Sequence, residues 1–420
     1  MFTTNDFTMK TKIVFSLSIF LLITSISFAQ KNIPAKKTDY FPPASEWETR
    51  SLFSMNIDSL KLQQAISFAI EKDNKAPRNM EIMQTQSFGK EPFGEGIGPF
   101  SERGDPTGLI VYKGYIIAQW GDPYSVEMTH SVTKSFLSTV VGLAFDKGLI
   151  KDVNDKVRNY IAPIEVYDPL QNNRPAELMG QEMMIKLFET AHNKTITWDH
   201  LLRQTSDWEG TLWGKPEWAD RPSAKPDEWT SRKRVEAGTV FEYNDVRVNV
   251  LALAATNIFR KPLPEILKTN IMDPIGASST WRWNGYRNSW IVLDGLAVQS
   301  VSGGGHWGGG LFINAFDMAR FGLLTLHRGN WNGKQLLSEK WVSQSLTPTV
   351  ANTGYGYMNW YLNTDNKLLP AAPSNAFVHL GNGTNMIYVD PKNELVMVVR
   401  WIENNAMNEM VKKVLEAVER

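Results

Sequence analysis

The segment His130–Leu137 reads HSVTKSFL and places Ser131 three residues before Lys134. Apolar residues recur with helical spacing from this point to Leu149, so the segment predicts a helix that begins at Ser131. Residues three apart lie on one face of a helix, and the amine of Lys134 can then reach the hydroxyl of Ser131. A serine hydroxyl becomes a nucleophile when a base takes its proton, and a lysine whose pKa is lowered by burial can be that base. The pattern predicts a catalytic serine, although a serine at a helix start is also an ordinary capping residue.

A second segment, Ser87–Lys90, has the same serine-to-lysine spacing. A proline and three glycines follow it closely, so its residues cannot share a stable helix face. Ser131 instead follows two β-branched runs, Leu109–Tyr112 and Tyr115–Ala118, which predict a hairpin. Context therefore favours Ser131 as the nucleophile.

Three further elements have clear local signals. A helix is predicted over Asp58–Glu71, with Asp58 as its cap. A second hairpin is predicted from the runs Met386–Val389 and Leu395–Val399, and a closing helix over Ala406–Val418. The sequence therefore has strand signals near both ends and mostly helix and loop signals between them.

The stretch around Ser131 resembles the S-V-T-K-S-F region of the class C β-lactamase-related serine hydrolases. The likeness extends from about Trp47 to the C-terminus and includes Ile196–Ser206 and Gly303–Leu311. The resemblance implies an α/β (α+β) fold of the β-lactamase/transpeptidase type, in which helices flank an antiparallel sheet and a mostly helical lobe is inserted.

The same resemblance implies how the chain is divided into lobes. Residues 30–130 and 296–420 are expected to form a discontinuous α/β lobe, to which both ends of the chain contribute strands. Residues 131–295 are expected to form the helical lobe, with Ser131 at the interface. The active site is then expected at the junction of the two lobes.

The family carries a tyrosine in a Y-x-N pattern, whose hydroxyl relays protons between the serine, the lysine and the leaving group. Literal Y-x-N triplets begin at Tyr286, Tyr357 and Tyr361, but none has the expected context. That context belongs to Gly238–Asp245 (GTVFEYND), which resembles the G-x-x-F-x-Y-S-N stretch of the family. The resemblance implies the relay role for Tyr243, and the alternative is an aromatic residue of the core.

This stretch departs from the family pattern at one position. Asp245 replaces the family's asparagine, so a carboxylate that can only accept stands where an amide would donate to a substrate carbonyl. Both Asp245 and its neighbour Asn244 are expected to contact the substrate, and Asn244 can take over the donor role from the adjacent position.

The third element of the family is K-T-G or H-x-G on the strand beside the nucleophile, and this chain has no K-[S/T]-G. By resemblance, His379-Leu380-Gly381, followed by Asn382, fits the position. A glycine lets the strand approach the substrate, and the backbone N–H of Asn382 is expected to be the second oxyanion donor, opposite that of Ser131. His379 replaces the family's lysine and is expected to contact the substrate; the alternative is a histidine at a strand edge without a role.

Composition narrows the class of partner. The 420-residue chain contains 44 basic and 44 acidic residues and no cysteine. A net charge of zero gives no electrostatic footprint for nucleic acid or anionic lipid, so we expect a small-molecule or short-peptide substrate and no nucleic-acid partner. The histidines lack metal-ligand spacing, and we expect neither a metal site nor a cofactor. The oligomeric state is left open.

The N-terminus has the composition of a secretory signal. Two lysines precede the apolar run Ile13–Phe28, and small residues before Gln30 match a cleavage site. Residues 1–29 are therefore expected to be a signal peptide, and the mature protein to be periplasmic or secreted without a stable membrane span. An uncleaved anchor is the alternative, but ~16 apolar residues are short for a bilayer. The start can be Met1 or Met9.

Together these features predict an exported serine hydrolase that cleaves a carboxylic ester or amide through a Ser131 acyl-enzyme. His379 and Asp245 favour esters or amides, because neither offers the fixed positive charge or donor that a penicillin-type substrate needs. The first alternative is a β-lactamase or a D-amino-acid peptidase that acts on cell-wall peptides. The second is a catalytically silent module that binds peptidoglycan fragments. An intact set of serine, lysine and tyrosine disfavours the silent module.

Overall fold

The strands that carry the candidate site come from both ends of the chain. The computed structural model describes residues 40–44, 46–167 and 184–418, so the expected signal peptide lies outside the described residues. The described residues belong to one compact unit that spans Asp39–Arg420. Within them, no helix is long and apolar enough to cross a membrane.

The described residues form helices and strands that are numbered here in chain order. The helices are α1 Ser59–Glu71, α2 Met80–Gln86, α3 Thr133–Asp146, α4 Trp198–Leu202, α5 Asp245–Phe259, α6 Leu263–Leu267, α7 Ala315–Leu326, α8 Glu339–Ser345 and α9 Met407–Val418. The strands are β1 Thr107–Tyr112, β2 Tyr115–Trp120, β3 Glu127–Met128, β4 Ile164–Glu165, β5 Met184–Ile185, β6 Thr211–Leu212, β7 Lys215–Pro216, β8 Arg282–Leu293, β9 Leu296–Val301, β10 Gly310–Ile313, β11 Asn330–Trp331, β12 Lys334–Gln335, β13 Trp360–Leu362, β14 Phe377–Gly381, β15 Asn385–Asp390 and β16 Leu395–Arg400.

The main sheet has six antiparallel strands in the order β13-β14-β15-β16-β1-β2. The predicted hairpins form β1–β2 and β15–β16, and β16 pairs with β1 to join the two ends of the chain. At the first hairpin, Lys113 (φ 51°) and Gly114 (φ 84°) are both left-handed, as a tight two-residue turn requires. The expected antiparallel sheet, built from the two ends of the chain, is therefore confirmed.

Each face of this sheet is covered by helices. In β16, Val396 and Val398 pack into a core that includes α3, α5 and α7, whereas Met397 and Val399 pack against α1 and α9. This alternation is the period of two expected for a strand that is buried on both faces. The strand β14, which borders the candidate site, is paired along both edges, with β13 and with β15.

The middle of the chain is less uniformly helical than the sequence predicted. It contains the long hairpin β8–β9, which belongs to a four-stranded sheet in the order β3-β10-β8-β9. The buried helix α3 packs against α5, α6 and α8, and nearly all of its residues are buried. The division of the chain into lobes at residues 131 and 295 stays a prediction.

Candidate active site

Ser131 lies in a 3₁₀ turn, His130–Val132, which leads directly into α3. His130 has a φ of 49°, uncommon for a residue with a side chain, and this makes the entry into the helix abrupt. Lys134 lies in the first turn of α3, is fully buried, and its Nζ is 2.9 Å from Oγ of Ser131. The structure therefore brings together the serine and the lysine of the predicted pair.

The second serine-lysine segment has a different structure. Ser87 ends α2, and its hydroxyl donates to the backbone oxygen of Met83 at 2.7 Å. Lys90 is exposed. The backbone N–H of Lys90 donates to the backbone oxygen of Ser87 at 3.2 Å, but no side-chain hydrogen bond joins the two residues within the described part of the chain.

Tyr243 also reaches this site. Its ring centre lies 4.7 Å from Nζ of Lys134 and 4.9 Å from the guanidinium carbon of Arg221. Its hydroxyl interacts with Ser131 and donates to Oδ1 of Asn359 at 3.0 Å. Desolvation, helped by the charge of Asp245, raises the pKa of Tyr243 well above its usual value, so the phenol carries its proton at neutral pH.

Asp245, the first residue of α5, is buried beneath the lysine. Its Oδ1 lies 2.7 Å from Nζ of Lys134, its Oδ2 lies 3.0 Å from Nη1 of Arg221, and its backbone N–H donates to the carboxylate of Asp220. Burial alone would raise the pKa of Asp245, but Lys134 and then Arg221 lower it on balance. The expectation that Asp245 contacts the substrate is therefore wrong, because its carboxylate holds Lys134 and does not line the cavity.

The same correction applies to Asn244. It caps α5, where its Oδ1 accepts from the backbone N–H of Arg247 at 3.1 Å. Its Nδ2 donates to the backbone oxygen of Glu217 at 2.7 Å, and the residue is fully buried. Both ends of the amide therefore hold the helix start, and Asn244 does not line the cavity.

Lys134 experiences two opposed influences. Burial lowers its pKa, which favours the free amine that a base needs, while the charge of Asp245 acts in the opposite direction. Burial prevails, and the pKa of Lys134 lies below its usual value.

The end of β14 closes the other side of the site. A Cβ on Gly381 would lie only 2.1 Å from the backbone oxygen of Thr129 and 3.1 Å from the backbone nitrogen of Ser131. Glycine is thus required for the strand to approach the nucleophile turn so closely. Leu380, Gly381 and Asn382 line the cavity, so Gly381 and Asn382 lie where the sequence placed them.

His379 does not reach this cavity. Its side chain is buried on the core side of β14, with its ring centre 4.9 Å from that of Trp360 and Nδ1 3.0 Å from Oγ of Ser135. Burial lowers its pKa to about 3, so the ring is neutral at physiological pH. The expectation that His379 contacts the substrate is wrong, because neighbouring residues of a strand point to opposite faces and Leu380 occupies the cavity side.

Asn359 is a member of the site that sequence reasoning missed. Its Nδ2 donates to the backbone oxygens of Ser131 at 2.8 Å and of Leu380 at 2.5 Å, and its Oδ1 accepts from Tyr243 and Tyr355. The residue is fully buried with a φ of 60°. The literal Y-x-N triplet that contains Asn359 was the available signal, although its asparagine and not its tyrosine is in the site.

The glycines before His306 form another wall. A Cβ on Gly304 would lie 1.9 Å from Oδ1 of Asp245 and 2.2 Å from Nζ of Lys134, so only glycine fits over this ion pair. His306 lines the cavity, and its Nε2 lies 2.7 Å from Oε2 of Glu91.

The site also contains three potential metal ligands. One donor atom from each of Glu91, Asp220 and His306 lies within 4.8 Å of the others, close enough to coordinate one ion. The hydrogen bond between His306 and Glu91 already explains why these two donor atoms lie close together. The absence of a metal centre stays a prediction.

The cavity that contains Ser131 has a volume of about 280 Å³. The residues that line it come from several distant parts of the chain: Phe88, His130, Ser131, Arg221, Tyr243, Gly304, Gly305, His306, Tyr361, Leu380, Gly381, Asn382, Asn404 and Met407. The site therefore offers a partly buried serine beside a buried lysine, a neutral tyrosine and close backbone amides around one small space.

Solved structures with the same fold include a carboxylesterase, a hydrolase with acyltransferase activity and a β-lactamase/D-alanine carboxypeptidase. A family VIII carboxylesterase has 16% sequence identity and a TM-score of 0.51, covering 89% of this chain and 98% of its own. EstCE1, a hydrolase with promiscuous acyltransferase activity, has 13% identity and a TM-score of 0.51, covering 86% and 99%. A β-lactamase/D-alanine carboxypeptidase from Yersinia pestis has 16% identity and a TM-score of 0.50, covering 81% and 99%.

No curated protein matches this chain by sequence. The sequence profile of the Beta-lactamase family, in contrast, matches residues 122–405, which is more than half of the chain and contains Ser131, Lys134 and Tyr243. With the fold and the match pointing the same way, the chain belongs to the β-lactamase family of hydrolases.

Proposed function

We propose that this chain is an exported serine hydrolase that cleaves a carboxylic ester or amide through an acyl-enzyme on Ser131. The observation that carries the proposal is the 2.9 Å contact between Nζ of the fully buried Lys134 and Oγ of Ser131. Burial favours the neutral amine, and a neutral amine at this distance can take the proton of the hydroxyl.

Acylation then follows from the positions of the groups. Oγ of Ser131 attacks the carbonyl carbon while its proton moves to Nζ of Lys134, and the carbonyl electron pair moves onto the oxygen. The backbone N–H groups of Ser131 and Asn382 are the proposed donors to this oxyanion. When the intermediate collapses, the alcohol or amine leaves with a proton that Tyr243 relays from Lys134, and water repeats the sequence to release the acid.

Asp245 has a defined part in this sequence. When Lys134 accepts the serine proton, an ammonium forms 2.7 Å from the ionised carboxylate of Asp245. The carboxylate stabilises the charge at the moment that it appears, as an aspartate does for the histidine of a serine-protease triad. We therefore assign Asp245 as a positioning residue that acts through Lys134.

The comparisons and the cavity bear differently on an ester or amide substrate. The family VIII carboxylesterase and the hydrolase EstCE1, at 16% and 13% identity, share the fold of this chain and do not by themselves support a substrate class. No lysine lines the cavity among the described residues, so the fixed charge of a K-T-G element is missing from β14. The arguments from His379 and Asp245 no longer contribute, because neither side chain faces the cavity.

The test is labelling of the mature protein with a fluorophosphonate, followed by mass spectrometry. The adduct is expected on Ser131, and Ser131→Ala is expected to abolish both labelling and hydrolysis of 4-nitrophenyl esters. An adduct on Ser87 or full turnover by Ser131→Ala would contradict the proposal. Nitrocefin assayed beside the esters separates the β-lactamase alternative, which predicts faster turnover of nitrocefin than of every ester.

Export is proposed from the sequence of residues 1–29. Expression of the full chain in a bacterium with a periplasm is expected to yield a processed protein whose N-terminus is Gln30. An intact N-terminus on a membrane-bound product would instead support the uncleaved anchor.

A further inference from the structure

The charges that line the cavity are unevenly distributed. Apart from His130, His306 and two tyrosines, Arg221 is the only ionisable side chain among the described residues that line it. Burial lowers the pKa of His130 to about 3, so His130 contributes no charge at neutral pH. No carboxylate lines the cavity within the described part of the chain. Arg221 therefore supplies the one fixed charge among the described residues that line the cavity.

Part of the guanidinium is already committed to the protein. Nη1 of Arg221 contacts the carboxylates of Asp220 and Asp245, the second at 3.0 Å. Nε and Nη2 make no hydrogen bond to any described residue, and the side chain is one-third exposed. Arg221 lines the cavity, whereas Asp220 and Asp245 are buried and do not, so a ligand in the cavity is an available partner for the unused N–H groups.

Aromatic rings fix the plane of this group. The guanidinium carbon lies 4.9 Å from the ring centre of Tyr243 and 5.5 Å from that of Phe88, and both rings line the cavity. The hydroxyl of Tyr243 interacts in turn with Ser131. Tyr243 thus contacts Arg221 through its ring and Ser131 through its hydroxyl. Because both rings restrict the Arg221 side chain, little side-chain entropy remains to be lost when a ligand binds.

We propose that Arg221 recognises a carboxylate on the substrate, so that the natural substrate is an ester or amide that also carries an acidic group. The inference rests on the proposed function and names its substrate class. A guanidinium edge with two parallel N–H groups matches the two oxygens of a carboxylate, which a neutral carbonyl cannot occupy as fully.

The buried acids do not take the place of a ligand. Asp220 and Asp245 are buried, they do not line the cavity, and their contacts with Arg221 are made at Nη1. A ligand in the cavity therefore meets the guanidinium and not these carboxylates.

The experiment compares matched chromogenic esters. Mono-4-nitrophenyl esters of C5 to C8 dicarboxylic acids carry a free carboxylate, and 4-nitrophenyl esters of the corresponding monocarboxylic acids do not. The carboxylate probe of best length is expected to have a kcat/KM at least ~10-fold higher, a typical effect of one charge-assisted pair. The ratio is expected to fall as salt is raised from 20 to 500 mM, because salt screens an exposed charge.

Variants separate recognition from general damage. Arg221→Gln is expected to reduce the ratio between charged and uncharged probes at least ~10-fold, and Arg221→Lys, which keeps the charge but loses the fork, to reduce it less. Arg287→Gln is the matched control, because Arg287 is exposed, pairs with Glu95 and does not line the cavity. A ratio near one in the wild type, or a ratio unchanged in Arg221→Gln, overturns the proposal.

A binding measurement distinguishes failure of this inference from failure of the proposed function. In Ser131→Ala protein, C5 to C8 dicarboxylates are expected to raise the melting temperature more than their dimethyl esters do, and Arg221→Gln is expected to remove the difference. This result would support carboxylate recognition even if no ester were hydrolysed. Equal shifts would overturn it even if Ser131 were labelled. Nitrocefin also carries a carboxylate. If its turnover depends on Arg221 and exceeds that of all esters, the acidic substrate is a β-lactam and not an ester.

Discussion

The hydroxyl of Tyr243 donates to Oδ1 of Asn359 over 3.0 Å, so the phenolic proton points away from the nucleophile. A lone pair of the same oxygen is then left to face Ser131. The Asn359 amide also donates to the backbone oxygen of Ser131 at 2.8 Å. One buried side chain thus fixes both the relay tyrosine and the turn that carries the serine.

Replacing Asn359 with aspartate is expected to lower kcat at least ~10-fold and to change KM much less. The substitution keeps the size of the side chain, removes both N–H donors, and holds the Tyr243 proton more tightly. Steady-state kinetics with a 4-nitrophenyl ester measures the change.

Asn363 provides a matched control for this variant. It is also a buried asparagine, and its Nδ2 donates to backbone oxygens of residues 369, 372 and 373 outside the site. Asn363→Asp is expected to lower the melting temperature but to keep the wild-type kcat. Equal losses of kcat in both variants would show that Asn359 acts only through stability.

Tyr243→Phe is expected to lower kcat on the order of 10²-fold, because it removes only the hydroxyl that relays protons. Tyr286→Phe is the comparison, since the Tyr286 hydroxyl is buried and bonds to Asn249 and Ser302. This second variant is expected to lose about 1 kcal/mol of stability with little change in kcat. If Tyr286→Phe is the slower enzyme, Tyr243 is not the relay.

Asp245→Asn tests how the buried carboxylate controls the base. The charge of Asp245 raises the pKa of Lys134, so its removal should lower that pKa further. The free amine then forms at lower pH, and the acidic limb of the kcat/KM profile is expected to move to lower pH. The plateau is expected to fall, because the new ammonium loses its counter-charge. An unmoved limb, or one moved to higher pH, would contradict the assignment.

His379 is expected to make the fold sensitive to acid. Its pKa of about 3 lies below the value near 6.5 of an unfolded chain, so the unfolded state binds more protons between these values. Stability is therefore lost as pH falls through this window, by roughly 2 kcal/mol at pH 5 from this one residue. Urea denaturation at pH 7 and pH 5 is expected to show a smaller loss for His379→Gln than for the wild type. Parallel losses would rule out this role.

Local patterns predicted the elements whose signal lies within a few residues. The hairpins β1–β2 and β15–β16, helix α1 and the Ser131–Lys134 pair were all visible in this way, because turn residues, period-two strands and a one-turn spacing are local properties. The longer hairpin β8–β9 was missed, because its sequence mixes polar and apolar residues without a clear alternation. Which of these residues are buried is determined by tertiary packing.

The errors at the site have a different origin. To predict whether His379 contacts a substrate, one must know which face of β14 its side chain occupies. For Asp245, one must know towards which neighbours its side chain points at the start of α5. A shift of one residue reverses that answer on a strand, as the cavity-facing Leu380 shows. Asn359 and Arg221 reach Ser131 from segments about 228 and 90 residues away, and no sequence spacing encodes such contacts.

Gly304 gives the site one more property. Its backbone lies against the Lys134–Asp245 pair so closely that no side chain fits there, and both ionic partners are buried. A proton on Lys134 therefore has no direct path to bulk water. It can leave only along the groups around the amine, and two of these, Ser131 and Tyr243, line the cavity. In each turnover the proton on Lys134 must therefore leave through the part of the cavity that the substrate occupies. Occupancy of the site then also controls when Lys134 becomes a neutral amine again.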